Sequence, residues 1–212
     1  MHIPDGFLNT TTVATTCAVS AVFVGVAVKM TNRKLGEKQV PLMGVMAAFI
    51  FAAQMLNFPI AGGTSGHLIG AVLAAILLGP WAAVLVMTSV LIIQCVVFQD
   101  GGVLALGANV LNMGIVAPFL GYYCYRAITA VTGESRNSKL AGCFVGAWIS
   151  VVGASAACAV ELSFSGTSPL SVALPTMTGW HVLIGIGEGL IGSTVLGAVL
   201  ATRSDILELQ EA

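Results

Sequence analysis

Of the three histidines in these 212 residues, one stands at position 2. A histidine directly behind an amino-terminal methionine offers three nitrogens to one cation: the terminal amine of Met1, the backbone amide of His2 and its imidazole Nδ1. The two chelate rings that result are nearly free of strain. Binding through the amide requires loss of its proton, which Ni²⁺ or Cu²⁺ can drive, and both ions favour planar nitrogen sites. Three donors leave one corner of a square open. A second imidazole fills it, and His67, in the glycine-rich stretch GGTSGH, is the best-placed candidate. Methionine aminopeptidase needs a small second residue, so His2 is expected to keep Met1 in place. The opening MHIPDG has neither the basic segment nor the cleavage site of a signal peptide, so no leader is expected.

Other polar residues are candidates for shaping such a site. Asp5 and Ser65 neighbour the two ligand stretches, and Asn57, Gln94 and Asn109 could orient His67 or join helices by hydrogen bonds. Asn112 reads as a helix-to-helix group. His181 lies seven residues before Glu188, so the two share one helix face. Glu188 falls inside an apolar run, where a bare carboxylate is costly. A hydrolytic grouping of Ser65, His67 and Asp100 is the alternative chemistry. It is disfavoured by the closeness of Ser65 and His67 in sequence and by the lack of a nucleophile-elbow motif. The five cysteines lie scattered in apolar runs without CxxC pairing and read as packing residues.

The elements that carry these residues are set by composition. Charged residues make up 8% of the chain, against roughly a quarter in soluble domains, which places it in the membrane. No basic stripe is available for nucleic acid. The apolar runs predict an all-α integral membrane protein of one domain over 1–212. A loop at 1–6 precedes helices near 7–28, 41–59, 67–79, 81–98, 103–128, 140–162 and 178–201. The break between the third and fourth rests on Gly79-Pro80, since proline disfavours helix in the residue before it.

Charge supports that break. All eight Lys and Arg residues fall at Lys29–Lys38, Arg126–Lys139 and Arg203. With seven helices they share one side, which the positive-inside bias makes cytoplasmic; with one fused helix they split evenly. The amino terminus and all three histidines then lie outside, with His181 entering the seventh helix, and the carboxyl terminus lies in the cytoplasm. The third helix is too short to cross about 30 Å of hydrocarbon alone, so the glycine-rich stretch before it dips inward and makes an outward-open pocket near His67.

MHIPDGFL, GGTSGHLIGAVLAAILLGPWAA, LALGANVLNMGI and HVLIGIGEGLIG together resemble the CbiM/NikM family, the substrate-binding (S) components of energy-coupling factor transporters for nickel and cobalt. The resemblance covers nearly the whole chain, and the IPDG form after His2 looks more like the nickel branch. It implies a seven-helix S-component fold with an additional amino-terminal helix, in the bacterial cytoplasmic membrane. It also implies a divalent ion, Ni²⁺ or alternatively Co²⁺, held by the Met1 amine, the His2 amide and imidazole, and His67. The implied partners are a transmembrane coupling (T) protein, two ABC ATPase subunits and a separate small membrane companion protein. No phosphate-cradling G-x-x-x-x-G-K-[ST] loop occurs in this chain, which is read as a transporter subunit and not an enzyme. Ala48 and Ala52, one turn apart on the second helix, are the candidate docking residues for the T protein. A stand-alone channel or secondary carrier is the rival reading; it calls for matched halves, which the sequence does not show.

Overall fold

The structure, a computed structural model, describes residues 1–33, 39–203 and 206. The basic loop centred on Lys34–Lys38 and the acidic tail, Ile206 apart, lie outside the described residues. The elements are α1 (Thr10–Asn32), α2 (Gln39–Gln54), strands β1 (Phe58–Pro59) and β2 (Ser65–Gly66), α3 (Ala71–Leu78) and α4 (Pro80–Phe98). Then comes α5, which is α-helical over Leu106–Asn109, π-helical over Val110–Val116 and α-helical again over Ala117–Thr132, followed by α6 (Arg136–Phe164) and α7 (Leu170–Thr202). Four of these, α1, α4, α6 and α7, are long and apolar enough to cross a membrane.

The helix ends follow local chemistry. The Asn9 side chain accepts from Thr12 N and starts α1, and the Ser135 side chain does the same for Ser138 N at α6. Gly79 takes φ +87°, a conformation open to glycine, and Pro80 occupies the first turn of α4, where its missing N–H costs nothing. The chain therefore turns between α3 and α4, as Gly79-Pro80 predicts.

Boundaries differ from the sequence expectation by a few residues throughout. The second helix ends at Gln54 rather than near 59, because Phe58 and Pro59 belong to a strand, and two further shifts bear on the site. The third helix starts at Ala71 and not at His67, because Gly70 sits at φ +78° and ends the extended loop only there. The seventh begins at Leu170, eight residues early, and takes in Pro175. Pro175 lies past the first turn and removes one backbone hydrogen bond, and packing against α6 carries the helix through it. His181 is therefore well inside α7 rather than at its mouth. The two-residue strands were not expected from the sequence; Phe58 pairs with Gly66 and Pro59 with Ser65 in a short antiparallel hairpin.

The core is built around α3. Its residues Ala71 to Leu77 are all buried, and α4, α5, α6, α2 and α7 all touch it. Eight residues rise only about 12 Å, so α3 is a buried central post whose amino-terminal end is held deep in the protein. Small residues bring the surrounding helices close. A Cβ on Gly146 of α6 would stand 2.6 Å from the carbonyl oxygen of Gly121 on α5, and one on Gly121 would meet Val72 of α3 at 2.2 Å. Gly185 and Gly189 of α7 receive Trp148 and Phe144 of α6 in the same manner.

Candidate metal centre

Residues 1–6 form no helix, in keeping with Pro4, Asp5 and Gly6, yet Met1, His2 and Ile3 are almost wholly buried. Buried backbone needs partners, and this segment has them. Ile3 N donates to Asn109 Oδ1 at 2.8 Å, while Asn109 Nδ2 (3.1 Å) and Gly102 N (2.8 Å) donate to Ile3 O. The Asp5 carboxyl accepts from Val103 N and Leu104 N at 3.1 and 2.8 Å, just before α5 begins. Gly101 and Gly102 make this possible: Gly101 lies at φ +95°, and a Cβ on Gly102 would sit 2.2 Å from Asp5 Oδ1. The QDGG turn is thus the bed on which the amino-terminal segment rests.

Facing it is the loop from Ile60 to Gly70. Ser168 Oγ donates to Gly62 O at 3.0 Å, and Gln54 Nε2 donates to Ile69 O at 2.8 Å. Both carboxyl oxygens of Glu188 are engaged by this loop, Oε2 accepting from Ile69 N at 2.7 Å and Oε1 from Gly70 N at 2.5 Å. The buried Glu188 of α7 is therefore a brace for the strand of chain that carries His67.

The two segments meet at their polar atoms. The Met1 amine lies 2.6 Å from His67 Nε2, and it donates to Ser65 O at 2.5 Å and Ser65 Oγ at 2.9 Å. His2 N donates to Ser65 Oγ at 3.1 Å. His67 Nδ1 lies 2.7 Å from Leu68 O, and a carbonyl only accepts, so Nδ1 carries the proton and Nε2 is bare. The His2 and His67 rings are nearly parallel, with centroids 4.4 Å apart. His2 Nε2 faces Gln94 Oε1 at 3.1 Å. Asp100 Oδ1 is 3.1 Å from His2 Nδ1 but off its bonding direction, so Nδ1 is left without a hydrogen-bond partner.

Burial pulls the Met1 amine down to about 5, from about 8, and leaves it neutral near pH 7. Burial, then the charge of the amine and of His2, hold His67 well below the ordinary imidazole value, with a smaller push from His181. His2 is lowered mainly by burial, with Asp100 opposing. Burial pushes Asp100 up, but its proximity to His2, the amine and Asn57 outweighs this and holds it below the usual carboxylate range. The result is a buried group of neutral nitrogens, with His2 Nδ1 unpartnered and His67 Nε2 facing the amine. Two nitrogens bound at right angles to one ion, each about 2.0 Å from it, stand about 2.8 Å apart, close to the separation of the Met1 amine and His67 Nε2. Such a cluster can ligate a transition-metal ion without first losing protons from the amine or the imidazoles.

Of the expected residues, Met1, His2, Ser65 and His67 come together directly. Gln94 faces His2 and not His67, Asn109 and Asp5 fasten the amino-terminal backbone, and Asn57 reaches only Asp100, at 2.8 Å. Asn112 bonds Glu161 at 2.6 Å, away from this cluster. The hydrolytic grouping is not assembled: Asp100 stands beside His2, while both nitrogens of His67 are occupied by Leu68 O and the terminal amine. The roles of Asp100 beside His2 and of Gln54 and Glu188 behind the loop were missed in the sequence. A charged residue placed within or beside an apolar run was the only signal for the two acids.

Residues 2–206 match the family model described as the CbiM cobalt uptake substrate-specific transmembrane region. A candidate fused nickel transport protein, NikMN, of Archaeoglobus fulgidus is 45% identical over 214 residues, covering 100% of this chain and 70% of that protein. The cobalt transport protein CbiM of Sorangium cellulosum is 31% identical over 216 residues, covering 98% and 95%. The crystal structure of a truncated transition metal transporter, 40% identical, superposes with a TM-score of 0.87 over 95% of this chain and 99% of that one.

Proposed function

Since the chain belongs to the CbiM family of cobalt and nickel uptake proteins, we propose that it captures Ni²⁺, or alternatively Co²⁺, in a planar set of four nitrogens. The donors are the Met1 amine, the deprotonated His2 amide, His2 Nδ1 and His67 Nε2. The observation that carries this reading is the buried 2.6 Å approach of the terminal amine to a bare imidazole nitrogen of the loop. The amine and the His2 N–H rest on Ser65, which keeps these donors in place until an ion displaces the hydrogen bonds. His2 Nδ1, unpartnered, completes the chelate from the same residue.

This multi-pass membrane protein would act as the substrate-specific subunit of an ATP-driven energy-coupling factor transporter in the bacterial cytoplasmic membrane. In this reading seven helices cross the membrane, the pocket and the amino terminus face outward and the positive loops lie in the cytoplasm, which the positive-inside bias supports. ATP hydrolysis belongs to two ABC subunits, coupled through a transmembrane T protein, with a separate small companion where one is needed. Ala48 and Ala52 are exposed on α2, as a helix-docking face requires.

The test is a titration with Ni²⁺ and Co²⁺ by calorimetry and visible absorption, comparing the native terminus with a form carrying one added residue ahead of Met1. The native form is expected to bind tightly with a planar low-spin nickel band, and the extended form to lose both. Equal binding by the two would remove the terminal amine from the site.

A further inference from the structure

One face of α7 packs in register along the His67 loop. Val172 meets Gly62, Met177 meets Gly63 and Thr64, Ile184 meets Gly66, and Glu188 holds Ile69 and Gly70. Met177, His181, Ile184 and Glu188 recur at helical spacing, so His181 lies on this same stripe. It falls at the level of Ser65, whose carbonyl and hydroxyl oxygens hold the Met1 amine. His181 is fully buried. Its Nδ1 lies 2.7 Å from Met177 O and must donate to that carbonyl, which leaves Nε2 bare. That Nε2 has no hydrogen-bond partner, although buried polar atoms ordinarily find one. A neutral imidazole lone pair thus stays unused on the face of α7 that packs along the His67 loop.

The chemistry of planar nickel gives such a lone pair a use. A square-planar d⁸ ion with a deprotonated amide donor is slow to let go, because ligands exchange by attack of a fifth donor from outside the plane. In a buried site neither bulk water nor a chelator reaches that face readily. We propose that His181 is a second ligand for the ion, the one through which it enters and leaves the planar site. As the ion leaves, a bond forms between Ni²⁺ and His181 Nε2 while the bond to His67 Nε2 breaks. Both imidazoles are neutral before and after, the metal stays divalent, and water returns the amide proton in a later step. Entry follows the reverse order.

This inference rests on the four-nitrogen reading, and the experiment separates the two. Ni²⁺ binding by the full chain, by His181→Ala and by His181→Gln is followed at equilibrium and by stopped flow, with release into excess EDTA read from the planar nickel band. The unchanged band and a Kd within threefold of the native value are expected in both variants, with association and dissociation each slowed tenfold or more. Equal slowing in both directions marks a barrier raised in the variants rather than a lost ground-state contact. Native exchange rates in either variant would overturn the proposal. So would a Kd weakened tenfold with a shifted band, which would make His181 a packing residue. Absence of a planar band in the native protein would remove the four-nitrogen premise itself.

Discussion

At the scale of residues, the site depends on a serine as much as on its histidines. Ser65 receives the terminal amine through two oxygens and the His2 amide through one, so it fixes the spacing between what become neighbouring donors. Groups that orient ligands without binding the ion are worth roughly 10- to 100-fold in metal affinity. Ser65→Ala is therefore expected to weaken Ni²⁺ binding within that range, while His67→Ala weakens it further; calorimetric titration ranks the two. Gln94→Leu removes the partner of His2 Nε2 and is expected to fall in the Ser65 range, with the nickel band unmoved because no donor is lost. A band shifted as in His67→Ala would instead mean that His2 had left the ion.

At the scale of elements, a helix holds a loop that has no regular structure of its own. Glu188 accepts one N–H on each carboxyl oxygen, which a glutamine cannot reproduce, because its NH₂ would face an N–H donor. A buried donor left unsatisfied costs about 1–3 kcal/mol. Glu188→Gln is expected to move His67 and reduce Ni²⁺ affinity about tenfold or more. Its visible spectrum should drift toward that of His67→Ala, and combining the two substitutions should add little. Behind this contact, Gly146 lets α5 and α6 approach until a Cβ would stand 2.6 Å from a backbone oxygen. Gly146→Ala is expected to destabilise the fold by on the order of 1–3 kcal/mol, measured as the shift in thermal unfolding in detergent.

At the scale of the whole molecule, the outward orientation has a direct test. In a cysteine-free background, Val103→Cys beside the amino-terminal segment should react with an impermeant maleimide added to intact cells, and Glu134→Cys between α5 and α6 should react only after lysis. The reverse pattern would turn the pocket inward. Vesicles containing this chain alone are expected to bind nickel without accumulating it, whereas accumulation would favour a stand-alone carrier. By itself the sequence determined the membrane class, the turn between α3 and α4 and the family, because each rests on local and one-dimensional signals: apolar run length, the pair Gly79-Pro80 and contiguous motifs. It also marked Met1, His2 and His67 as candidate donors, since chelate geometry at a chain terminus is fixed by covalent spacing. Only the tertiary structure decided that Asp100 and Gln94 flank His2, that Ser65 holds the amine, and that Glu188 and Gln54 brace the His67 loop. Those partners are tens of residues apart, and hydrogen bonds between them exist only once α3 is buried and α7 lies along the loop. The start of α7 was hidden for a related reason: packing against α6 carried the helix through Pro175, overriding the local preference that a sequence displays.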